Sequence, residues 1–156
     1  MSVSSELEPL IQPLCEDFAT RPIKESFDWK NIGRIMRENR NVAEGDDLYL
    51  VVFRSQRNAD ADVELLTYHD DQAHEEALES PDLLHYFKGV ASADGHCLSF
   101  CIWRNMEAAR TASRGPKHME AARLTGRMYA SHSLGRGVIK LLPNDEVQII
   151  PYSQHI

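Results

Sequence analysis

The sequence predicts an α+β fold in which a four-stranded antiparallel sheet carries two helices on one face. Three observations predict it. The runs LYLVVFR (48–54) and CLSFCIW (97–103) are strand formers without a clearly polar face, as in strands buried on both sides. Each run leads, directly or through a loop, into a stretch with helical spacing of its apolar residues. From residue 46 onward the elements read strand, helix, strand, strand, helix, strand, which is the ferredoxin-like βαββαβ arrangement.

Taken in order, residues 1–45 form an N-terminal extension and residues 46–156 the ferredoxin-like domain. Pro9, Pro13 and Pro22 rule out one long helix at the start, and the pairs Leu7 with Leu10 and Ile11 with Leu14 suggest a segment packed on the domain. Ser26 is the expected cap of a short helix to about Arg37, with Trp29, Ile32, Ile35 and Met36 at helical spacing. A polar connection, residues 39–47, precedes the first strand. The next helix runs from Asp62 to about Glu79 and presents Leu66, Ala73 and Ala77. The second strand is LLHYFKG (83–89), with a turn at Asp94-Gly95 before the third. After Trp103 a helix breaks at Arg114-Gly115-Pro116, and a second helix starts at Pro116 with Gly115 or Ser113 as cap. Residues 135–142 make the fourth strand. The segment EVQIIPY (146–152) is an extra strand that would cover a sheet edge or reach a partner.

Two helices cover one face of such a sheet, yet the strands are apolar on both. The second face therefore needs a cover. The simplest is the same face of a second copy, which predicts a homodimer closed face to face; the N-terminal extension is the competing cover.

Composition narrows the functions. At 156 residues with 42% apolar residues the chain is long enough to bury one core. No apolar run reaches the length needed to cross a bilayer and no leader is visible. Three cysteines cannot all pair, and Cys97 and Cys101 on one strand would stand about 13 Å apart. A reducing, cytoplasmic setting is the expectation. The net charge of −7 and the lack of a basic patch interleaved with aromatics argue against nucleic acid. The excess of Lys and Arg in residues 97–140 would suit an anionic ligand or an acidic partner surface. Hydrolase elbows, phosphate loops, dinucleotide fingerprints and metal-binding spacings are missing from the sequence, so neither metal nor cofactor is expected.

Three sets of side chains could carry chemistry. Asp70 and His74 are four apart on one helix, and a carboxylate beside an imidazole can fix its tautomer and raise its basicity. His118, Thr125 and His132 drift through the small-residue face of the later helix at intervals of seven. Cys97 and Cys101 are strand cysteines, which are ordinarily inert packing.

The segments AHEEALES, CIWRNMEAARTASRGPKHMEAARL and MYASHSLGRGVIKL, with FRSQRNADAD before them, resemble an uncharacterised family of small fungal proteins and, more remotely, the antibiotic-biosynthesis monooxygenase group of dimeric α+β barrels. The resemblance covers about residues 46–142, through Ala73-His74-Glu75, Cys101-Ile102-Trp103 and Pro116-x-His118. It implies a homodimer and cofactor-independent chemistry on a small molecule: a cyclase, isomerase or dehydratase of specialised metabolism with an apolar polyketide-like or terpenoid-like substrate. Haem is not expected, since the Asn and His pair of the haem-degrading members is missing. On this reading His74 is the base, oriented by Asp70, and His118 is the acid or oxyanion donor. Trp103, Tyr86, Phe87 and Tyr129 shape the pocket, with Thr125 also at the substrate. A non-catalytic binding or interaction module and a cofactor-free monooxygenase are the alternatives.

Overall fold

The longest run of strand formers begins the sheet. The structure, a computed structural model, describes residues 7–152 and 156, with the side chains of 125 and 126 outside that description. The extension holds the short helices α1 (Ile23–Ser26) and α2 (Trp29–Asn39). Strand β1 (Asp47–Arg57) is followed by helix α3 (Val63–Leu78) and strands β2 (Leu83–Phe87) and β3 (His96–Trp103). Helices α4 (Met106–Ser113) and α5 (Pro116–Met128) lead to β4 (Tyr129–Leu141) and β5 (Val147–Pro151). The sheet order is β2-β3-β1-β4-β5 with antiparallel neighbours throughout. The first four strands give the expected ferredoxin-like topology, and β5 pairs with the β4 edge.

Alternation divides the sheet into two faces. On one, Leu48, Leu50, Val52, Leu98, Phe100, Ile102 and Ile139 join a single core with Ile23, Phe27, Ile32, Ile35 and Met36 of the extension. On the other, Tyr49, Leu83 and Trp103 pack with Ala77 of α3 and the alanines of α4. Of the two covers expected for the open face, the extension is the one in place. Phe27 anchors it, with its ring centroid 4.9 Å from those of both Phe87 and Phe100 in edge-on contacts. Trp29 satisfies its indole N–H on the Ile23 carbonyl at 2.7 Å, and Arg40 donates to the Leu84 carbonyl at 2.8 Å. His85 is fully buried on this face, and among the described residues neither ring nitrogen has a hydrogen-bond partner. Burial, and then the Arg40 charge, pull its pKa down to about 4, so it sits there neutral.

Three local expectations change. Ser26 does not cap α2: Asp28 does, accepting from the Asn31 N–H at 3.1 Å, while Ser26 closes α1 and donates its hydroxyl to the Phe18 and Pro22 carbonyls. Phe87 lies under the extension rather than toward α3 and α5. The fourth strand starts at Tyr129, six residues earlier than the helical spacing implied, so Ser131 and His132 belong to a strand. The cause is β1, whose second half pairs with β3 on one edge and would otherwise leave the other edge open: Phe53, Arg54, Ser55 and Gln56 pair there with Leu134, Ser133, His132 and Ser131. Intrinsic helix and strand preferences differ by less than about 1 kcal/mol per residue, and a row of backbone hydrogen bonds outweighs that.

Docking of the extension has a measurable consequence. Phe27→Ala should lose about 3–5 kcal/mol of unfolding free energy in urea, whereas Leu14→Ala, 63% exposed on the same segment, should stay within about 0.5 kcal/mol. A loss at Phe27 below about 1 kcal/mol would mean that the extension does not hold the sheet.

Candidate active site between the helices and the sheet

Helix α3 begins at an Asp62 cap, which accepts from the Leu65 N–H at 3.0 Å, and buries Leu66, Ala73 and Ala77 against the sheet. Asp70, four residues after Leu66 and three before Ala73, shares that stripe. Its carboxyl is half-buried, and desolvation raises its pKa despite the opposing charges of Lys88 and Arg57. The net direction shows that loss of water outweighs the attraction to both cations.

The groups that feel the Asp70 charge are Tyr86 of β2, Cys97 of β3 and Tyr129 at the start of β4. They come from three strands but from one face. Burial drives both phenols well above the ordinary tyrosine value, so at neutral pH each remains a hydroxyl donor. The Cys97 thiol is also raised by burial and donates to the Gly89 carbonyl at 3.4 Å, and Cys101 is pushed up to about 12. Both thiols thus rest protonated, which suits packing rather than nucleophilic attack.

His74 lies flat enough on Tyr86 for ring contact, with centroids 4.4 Å apart and planes at 43°. Burial, followed by the Lys88 charge, lowers its pKa, and its buried Nε2 has no hydrogen-bond partner among the described residues. Among the described residues no hydrogen bond joins Asp70 to His74. The expected dyad, in which Asp70 orients the imidazole, is therefore not joined by a hydrogen bond, and the opposing charges that act on the Asp70 carboxyl are chiefly those of Lys88 and Arg57.

His118 is placed elsewhere. Glu76, on another flank of α3, accepts the backbone N–H groups of Lys117 and His118 at 3.0 and 3.1 Å and so caps α5 from a neighbouring helix. The His118 ring Nδ1 stands 3.7 Å from the same carboxylate. Neither Gly115 nor Ser113 supplies the cap. Gly115 instead makes room for it, since a Cβ there would meet a Glu76 oxygen at 2.1 Å.

Trp103 is buried in the cluster with Tyr49, Ala77 and Leu83, its indole N–H on the Cys101 sulfur at 2.9 Å, and packs as core. The side chain of Thr125 lies outside the described residues. Sequence reasoning missed Arg57 and Lys88. Arg57 was visible in principle, since the alternation Tyr49, Val51, Phe53, Ser55 continues to it; Lys88, which pairs with Asp71, follows only from the position of β2 against α3. Among the described residues no group of three or more His, Cys, Asp or Glu is arranged to hold a metal ion, and no helix is long and apolar enough to cross a membrane.

Fold and site together define a ferredoxin-like α+β protein with a polar cluster between helices and sheet. A family model described as PB2B2.08-like matches residues 3–151, and the chain belongs to that family. The match takes in the extension, beyond the residues 46–142 on which the resemblance rested. No curated protein matches the chain.

Among solved structures, a candidate monooxygenase from Lactobacillus acidophilus NCFM is similar at 16% identity and a TM-score of 0.52, over 70% of this chain and 52% of its own. A conserved protein from Methanosarcina mazei Go1 is similar at 13% identity and a TM-score of 0.50, over 60% and 91%. SnoaB, a cofactor-independent oxygenase from Streptomyces nogalater, is similar at 13% identity and a TM-score of 0.45, over 57% and 90%. At these identities the likeness is one of fold.

The Glu76 bridge gives a test of how the two helices are held. Burial raises its pKa, but the two backbone hydrogen bonds and the His118 and Lys117 charges outweigh that and hold it below the ordinary value. The stability it adds is present above the unfolded-state value of about 4.3 and is lost as pH falls through the lower folded value. Glu76→Ala should cost about 0.5–2 kcal/mol at neutral pH. Thermal melts of Glu76→Gln should show a shallower acid limb than the wild type.

Proposed function

We propose that this protein is a small-molecule enzyme performing cofactor-independent acid–base chemistry, a cyclisation, isomerisation or dehydration, with Asp70 as the group that moves the proton. The observation that supports this reading is the half-buried Asp70 carboxyl, its pKa raised by desolvation, amid two phenols kept as hydroxyls, a neutral imidazole and the Arg57 charge. A carboxylate poised above its usual range is a stronger base than one in water. Tyr86 and Tyr129 would donate to an oxyanion developing on the substrate. Arg57, whose buried Nε has no hydrogen-bond partner among the described residues, would add fixed positive charge. His74 would wall the site with its ring on Tyr86, while His118 would serve as a helix anchor rather than as the acid. The aromatic lining suits an apolar, polyketide-like or terpenoid-like substrate of specialised metabolism.

A second reading is cofactor-free oxygenation. It is supported by the name of the Lactobacillus acidophilus fold neighbour. The same carboxylate would then remove a proton to give a carbanion that meets dioxygen, so oxygen consumption separates the two. A homodimer, in either case, would be built on a surface other than the sheet face filled by the extension.

Native mass spectrometry of the purified protein, followed by extraction, reports both the assembly and any retained organic ligand. With that ligand's class as substrate, Asp70→Asn should lower turnover about 10²–10⁴-fold. It should also raise stability at neutral pH. A carboxyl with a raised folded pKa contributes stability only while protonated, fully below the unfolded value near 3.9 and lost as pH rises through the folded value. The gain from Asp70→Asn should therefore shrink as pH is lowered. Turnover unchanged in this variant would remove Asp70 from the chemistry; binding without turnover in the wild type would favour the non-catalytic module.

A further inference from the structure

On the sheet face away from Asp70, a pocket of about 450 Å³ opens between residues 19–22 of the extension and the ends of β1, β3 and β4. Its lining is mixed: Arg54, His96, Ser131, Ser133 and Thr20 supply polar groups beside the apolar Ala19, Pro22 and Ile156. Arg54 lies on this face because the alternation Leu48, Leu50, Val52 continues to it, and it is paired across the sheet with Leu98 and Ser133.

The charge balance of the pocket is uneven. Arg21 is held by both oxygens of Asp17 at 2.8 Å, and His96 Nε2 stands 3.8 Å from Asp94. Arg54, half-buried, donates to the carbonyls of Ala19 and Arg21 at 2.6 Å each, and among the described residues no carboxylate pairs with it. Burial is what perturbs it, pulling its pKa down, but a guanidinium stays charged at neutral pH. The two carbonyls use two of its five N–H donors. Three remain, in a planar fork that matches an oxyanion, with serine hydroxyls on the neighbouring strand.

We propose that this pocket is a second ligand site, distinct from the Asp70 cluster, which takes a small organic anion and seats its phosphate or carboxylate group on Arg54 with the Ser131 and Ser133 hydroxyls. Its volume lies in the range of small-molecule sites. Because Arg54 also grips the extension through two carbonyls, an anion bound there fixes the cover onto the sheet and stabilises the fold by mass action.

The test is calorimetric titration of the full-length chain with inorganic phosphate and, separately, with succinate, alongside thermal melts. At least one probe should bind and raise the melting temperature. Phosphate alone would identify phosphorylated ligands, succinate alone carboxylic acids, and both an oxyanion site of either kind. Arg54→Gln should weaken binding at least about tenfold. Since that change also loosens the extension, Ser133→Asp provides an independent check: it places a carboxylate across from Arg54, keeps the guanidinium's hold on the carbonyls, and should abolish binding in a protein with wild-type circular dichroism. No binding of either probe at about 10 mM, where a contact of only about −4 kcal/mol would be mostly occupied, overturns the proposal. So does binding that survives both substitutions.

Discussion

A sheet whose strands are apolar on both faces cannot leave either face in water. On the face under the extension, Leu48, Leu50, Val52, Leu98, Phe100, Ile102 and Ile139 are each no more than 2% exposed. At about 1.5–3 kcal/mol per large side chain, uncovering them would forfeit roughly 10–20 kcal/mol, as much as the whole net stability of an ordinary domain. Cover is therefore a condition of folding. Phe27, Trp29 and the apolar stripe of α2 supply it, and guanidinium groups at Arg40 and Arg54 tie the cover to backbone carbonyls at two places. The first forty-five residues are thus half of a core.

That requirement sorts the polar groups. The middle of the sheet is dry on the extension side, and its buried exception, His85, is kept neutral by burial and by Arg40. Other ionisable groups are left to the helix face and to the sheet's end, where Lys88 and Arg57 lie close enough to influence the Asp70 carboxyl. Desolvation still prevails there. The arrangement holds Asp70 in a state that costs stability at neutral pH.

Much of this was legible in the sequence, because period-two and period-3.6 patterns are local. The order of strands and helices, the break at residues 114–116 and the turn before β3 follow from such patterns. What was not legible is non-local. Tyr129 to Leu134 have a helix-compatible pattern and become strand because the edge of β1 away from β3 would otherwise be open. Phe87 and Tyr86 are adjacent on β2, and only packing shows that the first belongs under the extension and the second beside His74. Glu76 caps a helix that begins forty residues later, so no short-range signal could mark it. The Asp70–His74 spacing makes the two side chains neighbours on α3, but spacing does not fix rotamers, and among the described residues no hydrogen bond joins them.

The far end of β1 explains why both candidate sites lie where they do. Past Phe53 the strand reads Arg54, Ser55, Gln56, Arg57, polar because the core has run out but still paired on both edges. Alternation sends Arg54 to the pocket under the extension and Arg57 to the Asp70 cluster, about 10 Å further along at about 3.3 Å per residue. Tyr129 would fall on the wrong face if β4 paired without a break. It does not, because the register shifts between Gln56 and Arg57: Gln56 faces Ser131 and Arg57 faces Tyr129, with Ala130 as the extra residue. That bulge turns the phenol to the helix side, where its ring meets Phe53 at 5.7 Å and its hydroxyl feels Asp70 and Arg57. A slip of one residue would carry Tyr129 away from Asp70, so a single irregular pair of strands sets the composition of the site.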